Sequence, residues 1–343
     1  MKKRRKYFII PIIILLVFFV CDNIFGGVTI PVKKIFLALF SGPDTALPQT
    51  EHSFIKDIIC NFRLPKATTA LLAGVGLSLC GIQMQTLFRN PLADPYILGV
   101  SASSGLGVAI FVMGGSALGI NLNSAAFQTF GIAGAAMAGA ILLLLLILAL
   151  SERLKDNLSL LIFGVMISSI ASALINLLQY ASSESALKMY VVWTLGSFSG
   201  LKSGQLLILT LLSVAGIALS VYNIKDLNAI MLGEQYANAA GINTKRIKVR
   251  IIVATTLLAG GITAFCGPIG FIGIAVPHIA RLIYKDADHR VLVPASAILG
   301  GGMMLIADTL SQLPGSGSVI PINTMAALLG IPVIFAIIIK NRA

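Results

Sequence analysis

Long apolar runs separated by short polar breaks make up most of this chain. A transmembrane helix needs about 20 apolar residues, and the runs suffice for about ten such helices. The fold class predicted is therefore all-α, a polytopic membrane protein. The predicted spans cover roughly residues 7–25, 63–85, two helices within 95–151, 158–180, 206–222, 251–266, a short helix ending near 284, 291–311, and a last helix ending at Lys340.

Polar breaks set the ends of these helices. Residues 26–62 contain three prolines and are too polar to span, so they are predicted to be external. The second helix is then predicted to begin at Arg63, with Pro65 in its first turn. Other breaks are predicted at 121–124, 151–157 and 312–321, and a short extra helix is predicted within 182–204.

Charge supports this membrane topology. Only 11% of the residues are charged, against about 25% in soluble domains, which excludes a soluble protein. Most of the 25 Lys and Arg residues fall in segments that the topology places inside, including the N-terminal KKRRK. An even number of spans puts both termini on the same side, and the basic N-terminus indicates that this side is the cytoplasm. The first helix is predicted to be uncleaved. No basic run alternates with aromatics, so nucleic acid is not an expected partner.

A polar segment, residues 223–250, interrupts the apolar pattern on the cytoplasmic side. Its LGEQYANAAG stretch predicts a short helix with Glu234 near its start, where an acid suits the helix dipole. Gly241 is placed as the C-terminal cap, and Asn243 as the cap of the next helix. A solvated connector and a docking element both fit this spacing. No phosphate-binding loop motif occurs, so energy from ATP would have to come from another chain.

Two features inside the spans could carry function. The sequence GPIGFIG, residues 267–273, interrupts a span, and irregular backbone at membrane depth must be buried in protein or line a cavity. The sequence fits two interpretations of this break, a part of the transport pathway and a structural kink. Asp308 is the clearest acid within a span and hence a functional candidate, although its place near the span end also fits a solvated side chain. The cysteines and histidines have no metal-ligand spacing.

Several segments, in order along the chain, carry a family resemblance. They are NPLADP (90–95), LGEQYANAAGINTKR (232–246), GPIGFIG followed by PHIARL (267–282), LIAD (305–308) and PINTMAALLGIPVI (321–334). Together with RLPK (63–66), they resemble the FecCD-type permease subunits of bacterial ABC importers for iron–siderophore complexes, haem and vitamin B12. The similarity runs from residue 63 to near the C-terminus.

The resemblance implies a single transmembrane permease domain, residues 1–343, in the bacterial inner membrane. It implies a second permease copy, two ATPase subunits and a periplasmic or lipoprotein substrate-binding protein. ATP and Mg would be bound by the ATPase, and this chain would bind no cofactor or metal and would not itself be an enzyme. Iron–siderophore is the expected substrate, with haem and cobalamin as alternatives. Rivals of other classes are an ion-coupled secondary transporter and a membrane-embedded enzyme, although no nucleophile–base set supports the enzyme.

The resemblance also assigns site residues. A coupling helix at about 232–242 would contact the ATPase, and Arg63 with Lys66 would meet acids of the binding protein. The coupling residues are Gly233, Glu234, Tyr236, Ala239 and Gly241; the pathway or gating residues are Gly267, Pro268, Gly270, Gly273 and Pro277. The chain departs from the family at Gln312, where some relatives have a basic residue, and from Val319 to Asn323. These departures leave the details of docking open.

Overall fold

The apolar runs form helices because a helix satisfies every backbone N–H and C=O within its own segment, as a lipid environment requires. The computed structural model describes residues 2–26, 30–40, 49–115, 130–151, 157–312 and 319–340, and all its regular elements in these ranges are helical. The breaks predicted at 121–124, at most of 151–157 and at 313–318 lie outside the described residues. The all-α prediction is confirmed for the described part.

The first half of the chain forms a long bent helix and its neighbours. The elements are α1 (Lys2–Ile24), α2 (Val32–Phe40), α3 (Gln49–Asp57), a π-helical turn (Ile58–Arg63), α4 (Leu64–Phe88), a 3-10 turn (Pro95–Leu98), α5 (Val100–Ala109), a second π-helical turn (Ile110–Gly114), α6 (Ile132–Ser151) and α7 (Asn157–Tyr180).

The second half contains the polar segment and the interrupted span. Its elements are α8 (Glu184–Leu195), α9 (Ser203–Tyr222), α10 (Ile224–Leu232), α11 (Glu234–Ala239), α12 (Thr244–Thr255), a third π-helical turn (Thr256–Gly260), α13 (Gly261–Cys266), α14 (Ile272–Tyr284), α15 (His289–Ser311) and α16 (Ile322–Lys340). The short helix predicted within 182–204 is confirmed as α8.

Apolar helices occupy each predicted span. Six are long enough to cross a membrane, and four shorter ones lie at Phe8–Ile24, Val100–Gly114, Ile272–Tyr284 and Ile322–Ala336, all among the described residues. These ten helices match the predicted order. Ten crossings and cytoplasmic termini stay predictions, because length and composition alone do not establish which helices cross.

The predicted start of the second span is wrong. The helix does not begin at Arg63: it runs without a break from Gln49, through the π-helical turn, to Phe88. In that turn the Leu64 N–H bonds to the Ile59 carbonyl, five residues back. Pro65, which lacks an N–H, follows at the point where the wider turn returns to α-helix. Polar residues 49–57 extend the helix beyond its apolar part, so hydropathy detects only the later portion.

Helix α4 is the centre of the packing, against α15, α14 and α9. The most apolar part of its helix is 78% buried, against 17% for α7, which lies at the periphery. Close approach requires glycine at two contacts. A Cβ on Gly81 would lie 1.8 Å from the Gly273 carbonyl oxygen, and one on Gly74 would lie 2.1 Å from that of Gly300. Backbone-to-backbone packing of this kind holds helices together in lipid.

Replacing Gly81 by alanine is expected to destabilise the protein by about 1–3 kcal/mol, because the added methyl group overpacks the α4–α14 contact. The matched control is Gly134→Ala, since a Cβ at Gly134 meets nothing within 4 Å. Thermal unfolding of the purified protein in detergent measures both variants. Equal unfolding temperatures for the two would contradict the role given to Gly81.

Candidate functional site

The short helix predicted in the polar segment is present as α11, between two turns that glycines make possible. Gly233 has φ +132° and Gly241 has φ +77°. The N–H of Ile242 bonds to Ala237 O (2.9 Å) and that of Gly241 to Asn238 O (3.0 Å), which is a Schellman cap. Asn243 accepts from the Arg246 N–H at 3.1 Å and starts α12. The predicted helix and both predicted caps are confirmed.

The coupling segment, residues 232–242, presents one face of α11 outward. Tyr236 is 62% exposed, whereas Ala237 is fully buried. Ala239 is exposed, and Glu234 is the first residue of α11. An aromatic residue at the centre of an exposed, one-and-a-half-turn helix is suited to anchor a protein partner. Contact of Gly233, Glu234, Tyr236, Ala239 and Gly241 with an ATPase stays a prediction.

The break predicted at residues 267–273 is present, but it is shorter and covers residues 267–271. Gly267 has φ +77° and Phe271 φ +69°, and these residues separate α13 from α14. A Cβ on Gly267 would lie 2.4 Å from the Trp193 carbonyl oxygen, so the α8 end packs directly on the break. Gly267, Pro268 and Gly270 lie in the break, whereas Gly273 and Pro277 belong to α14.

Groups from three other parts of the chain satisfy the broken backbone. Ile269 N–H donates to the Tyr96 hydroxyl (3.2 Å), and Gly270 N–H donates to Asn323 Oδ1 (3.2 Å). The Cys266 carbonyl accepts from Ser197 N–H (2.9 Å). Gly267 and Ile269 are buried, the other three residues of the break are half-buried, and its backbone is hydrogen-bonded by protein groups, as irregular backbone at membrane depth requires. Asn323, which the sequence comparison treated only as a departure, has a structural role here.

The two residues expected to dock the binding protein are not free surface cations in this structure. Arg63 is 8% exposed and its Nη1 donates to the carbonyls of Asn23 (3.0 Å) and Ile24 (2.7 Å). The Lys66 side chain is 13% exposed, and its Nζ lies 3.0 Å from Asp308 Oδ1. The expectation of two cations displayed at an external mouth is corrected, because both side chains turn inward to buried acceptors. Their docking role stays a prediction.

Asp308 belongs to a buried charged cluster that the sequence did not reveal. It is 1% exposed, so the alternative prediction of a solvated side chain is wrong. Its carboxyl is close enough to that of Asp22 in α1 to interact with it, and Asp22 accepts from the Thr309 hydroxyl at 2.8 Å. The cluster of Asp22, Lys66 and Asp308 thus joins α1, α4 and α15. Lys66 and Asp308 also line a cavity of about 190 Å³ with Gly196–Ser199 and Val319–Ile322.

A polar stripe on α7 is a second feature that sequence reasoning missed. Ser168, Ser172 and Asn176 recur at four-residue spacing, and with Ser169 and Tyr96 they line a groove of about 500 Å³. Residues four apart share one face of a helix. The four-residue spacing is present in the sequence, but the span as a whole is so apolar that its few polar residues do not stand out.

The residues predicted for docking and those predicted for coupling lie near opposite ends of α4. Lys66 is in its first turn, and Arg89, which follows its last residue, has Nη2 3.0 Å from the Ile230 carbonyl beside the coupling segment. At 1.5 Å per residue the two ends are about 35 Å apart, close to the thickness of a bilayer's hydrocarbon core. The broken helix lies between them in the bundle.

Comparison with known proteins identifies the family to which this chain belongs. The FecCD transport family matches residues 13–340. The hemin transport system permease protein HmuU of Yersinia pestis is 32% identical over 82% of this chain and 83% of its own length. The vitamin B12 import system permease protein BtuC of Klebsiella pneumoniae is 32% identical over 93% of this chain and 94% of its own length.

A solved structure has the same fold. It is described as a metal-chelate type ABC transporter in an inward-facing conformation, with a TM-score of 0.76, 29% identity, and coverage of 90% of this chain and 96% of its own. The family match also disfavours the ion-coupled transporter. By its helices and its relatives, this multi-pass membrane protein belongs to the FecCD transport family, the ABC-importer permeases that its sequence resembles.

Proposed function

We propose that this chain is the permease subunit of an ABC importer that moves an iron chelate, a siderophore complex, across the bacterial inner membrane. The observation that carries the proposal is the family match over residues 13–340. Its relatives are named for hemin and vitamin B12 import, so haem and cobalamin are the alternative substrates. All three are bulky, planar or chelated metal compounds. The proposal is therefore firmer for this class of substrate than for any one of the three.

The pathway is proposed to run between two copies of the chain, along the α7 groove. Asn176, Ser169 and Ser172 are exposed on a helix whose other surface is apolar. Polar side chains in transmembrane helices face protein or a water-filled cavity rather than lipid. A second copy facing α7 would close the groove into a polar path between the two chains. The proposed assembly is therefore a homodimer.

ATP is proposed to act from outside the chain, through the coupling segment. Two ATPase subunits would hold ATP and Mg and would contact the exposed face of α11 around Tyr236. Their closure would displace α11 and the helices attached to it. The chain itself would carry out no covalent chemistry on the substrate, which passes by alternating access.

Gating is proposed to use the broken helix. The five residues from Gly267 to Phe271 connect α13 to α14 through two positive-φ positions. Their backbone is held by the side chains of Tyr96 and Asn323 rather than by a helical ladder. Such hydrogen bonds can exchange one by one, so α13 and α14 can re-pack without unfolding a whole helix. Gly273 and Pro277 would move with α14.

Docking is proposed to expose Lys66. A periplasmic or lipoprotein binding protein that presents an acidic residue would compete with Asp308 for the Lys66 ammonium group. Charges at the rim of such an interface govern association rate and register more than affinity. Gln312, in place of a basic residue in some relatives, leaves one cation fewer for this contact.

Uptake by the assembled complex in lipid vesicles tests the proposal. Labelled ferric siderophore, haem and cobalamin are supplied with the binding protein outside and ATP inside. We expect ATP-dependent accumulation of the ferric siderophore and none without ATP. Accumulation of haem or cobalamin alone would change the proposed substrate but not the proposed kind of importer. Uptake driven by a proton or sodium gradient without ATP would reject the proposed energy source.

A further inference from the structure

Helix α10, which leads into the coupling segment, is joined to α15 and α4 by a chain of hydrogen bonds that runs from half-buried Asn228 to buried His289. Asn228 of α10 donates through Nδ2 to Asp288 Oδ1 at 2.7 Å. Its Oδ1 accepts from the His289 backbone N–H at 2.9 Å and lies 2.7 Å from His289 Nδ1. The same amide therefore contacts two consecutive residues at the start of α15.

The chain of hydrogen bonds continues from His289 to α4. His289 is 1% exposed, and its Nε2 lies 2.7 Å from the Thr86 hydroxyl in the last turn of α4. Because Asn228 Nδ2 donates to a carboxylate, its Oδ1 is the atom that faces the ring, so Nδ1 carries a proton. In the neutral tautomer Nε2 accepts from the Thr86 hydroxyl, whose single proton has the Ile82 carbonyl, 2.8 Å away, as its alternative acceptor. His289 thereby bridges Thr86 of α4 and Asn228 of α10.

The other attachments of α10 lead elsewhere. Asp226 forms an ion pair with Arg250 (2.8 Å), which lies on α12, the helix on the other side of the coupling segment. Arg89 donates to the Ile230 carbonyl and so joins α10 to the end of α4. Asn228 is the α10 side chain whose hydrogen bonds, described above, reach the start of α15. The opposite end of α15 carries Asp308, the partner of Lys66.

We infer that Asn228 is a positioning residue for coupling, which transmits displacement of the coupling segment to the start of α15 and, through His289, to the end of α4. This inference rests on the proposed function, since it supposes that an ATPase moves α11. When one member of a hydrogen-bonded set is removed, its partners lose their match, and a packed element then shifts more independently of its neighbour. A displaced α10 would move α15 less, through the remaining packing between the two helices alone.

The test exchanges the two groups that Asn228 and Asp288 contribute. Asn228→Asp alone sets a carboxylate beside that of Asp288 and removes the amide donor. Combined with Asp288→Asn, the carboxylate at 228 accepts from the amide at 288 and still accepts from His289. Asparagine also serves as well as aspartate at the start of α15, where Asp288 caps the Arg290 N–H. The measured quantity is substrate transported per ATP hydrolysed by the assembled complex.

We expect Asn228→Asp to lower transport per ATP by about 5–150-fold, the range of allosteric coupling between sites. The exchanged pair should restore it. Asn61→Ala is the matched control, because Asn61 is an exposed asparagine that also donates to an aspartate, Asp57, but lies just before the first turn of α4, away from this path. If Asn228→Asp does not assemble, Asn228→Ala removes the contact without added charge. Normal coupling in the single variant, or no recovery in the exchanged pair, would overturn the inference.

Failure of the proposed function gives a different pattern. In that case the unmodified complex would show no ATP-dependent uptake, and replacement of α11 would change nothing. Failure of this inference alone leaves ATP-driven uptake intact, with coupling lost on replacement of α11 and retained in Asn228→Asp.

Discussion

Alanine at Tyr236 is expected to uncouple ATP hydrolysis from uptake. Tyr236 is 62% exposed at the middle of α11, and an aromatic anchor at the centre of an interface contributes about 2–4 kcal/mol to association. Loss of that anchor would let the ATPase subunits close without displacing α11. The complex should then hydrolyse ATP while transporting little substrate.

Two measurements on reconstituted complex separate this outcome from simple instability. ATPase binding to the purified permease reports the interface, and transport per ATP reports coupling. Phe54→Ala is the matched control, because Phe54 is also 62% exposed but belongs to α3, away from the coupling segment and the α7 groove. Phe54→Ala should change neither quantity. Survival of full transport after residues 233–241 are replaced as a block would show that the coupling role is wrong.

Locally determined features of this chain could be predicted from its sequence. The helix at 234–239, its glycine turns and the Asn243 cap depend on residues within one or two turns of each other, and all three are present. The break at 267–271 also follows from a local cluster of glycine and proline. An apolar helix lies in each predicted span, because an apolar segment in lipid must satisfy its backbone hydrogen bonds within itself.

Features that depend on distant residues could not be predicted in the same way. From the sequence, Lys66 is predicted to be a cation at the rim of an external mouth. Its acceptor, Asp308, is 242 residues away and becomes a neighbour only when α4 packs on α15. Asp22 was passed over for the same reason. The start of the second helix was misplaced because residues 49–57 are polar, and the helix there extends past the apolar part that hydropathy detects.

Removing Lys66 tests the buried cluster, and Lys66→Met is expected to destabilise the permease by about 3–5 kcal/mol. The change leaves the carboxyl groups of Asp308 and Asp22, 1% and 3% exposed, without the ammonium group that lies 3.0 Å from Asp308. Thermal unfolding in detergent measures the loss. Unfolding at the wild-type temperature would mean that the pair contributes no net stability.

A second substitution separates the structural role of Lys66 from docking. Lys66→Met with Asp308→Leu replaces both charges by apolar groups, and such replacements of a buried pair are often neutral or stabilising. The double variant should therefore recover part of the lost stability, since the carboxyl of Asp22 still lacks the ammonium group. It still lacks the cation proposed to meet the binding protein, so we expect slower association with the loaded binding protein and reduced uptake. If the double variant instead binds and transports like the wild type, Lys66 serves only the cluster, and the docking contact must be sought elsewhere on the external face.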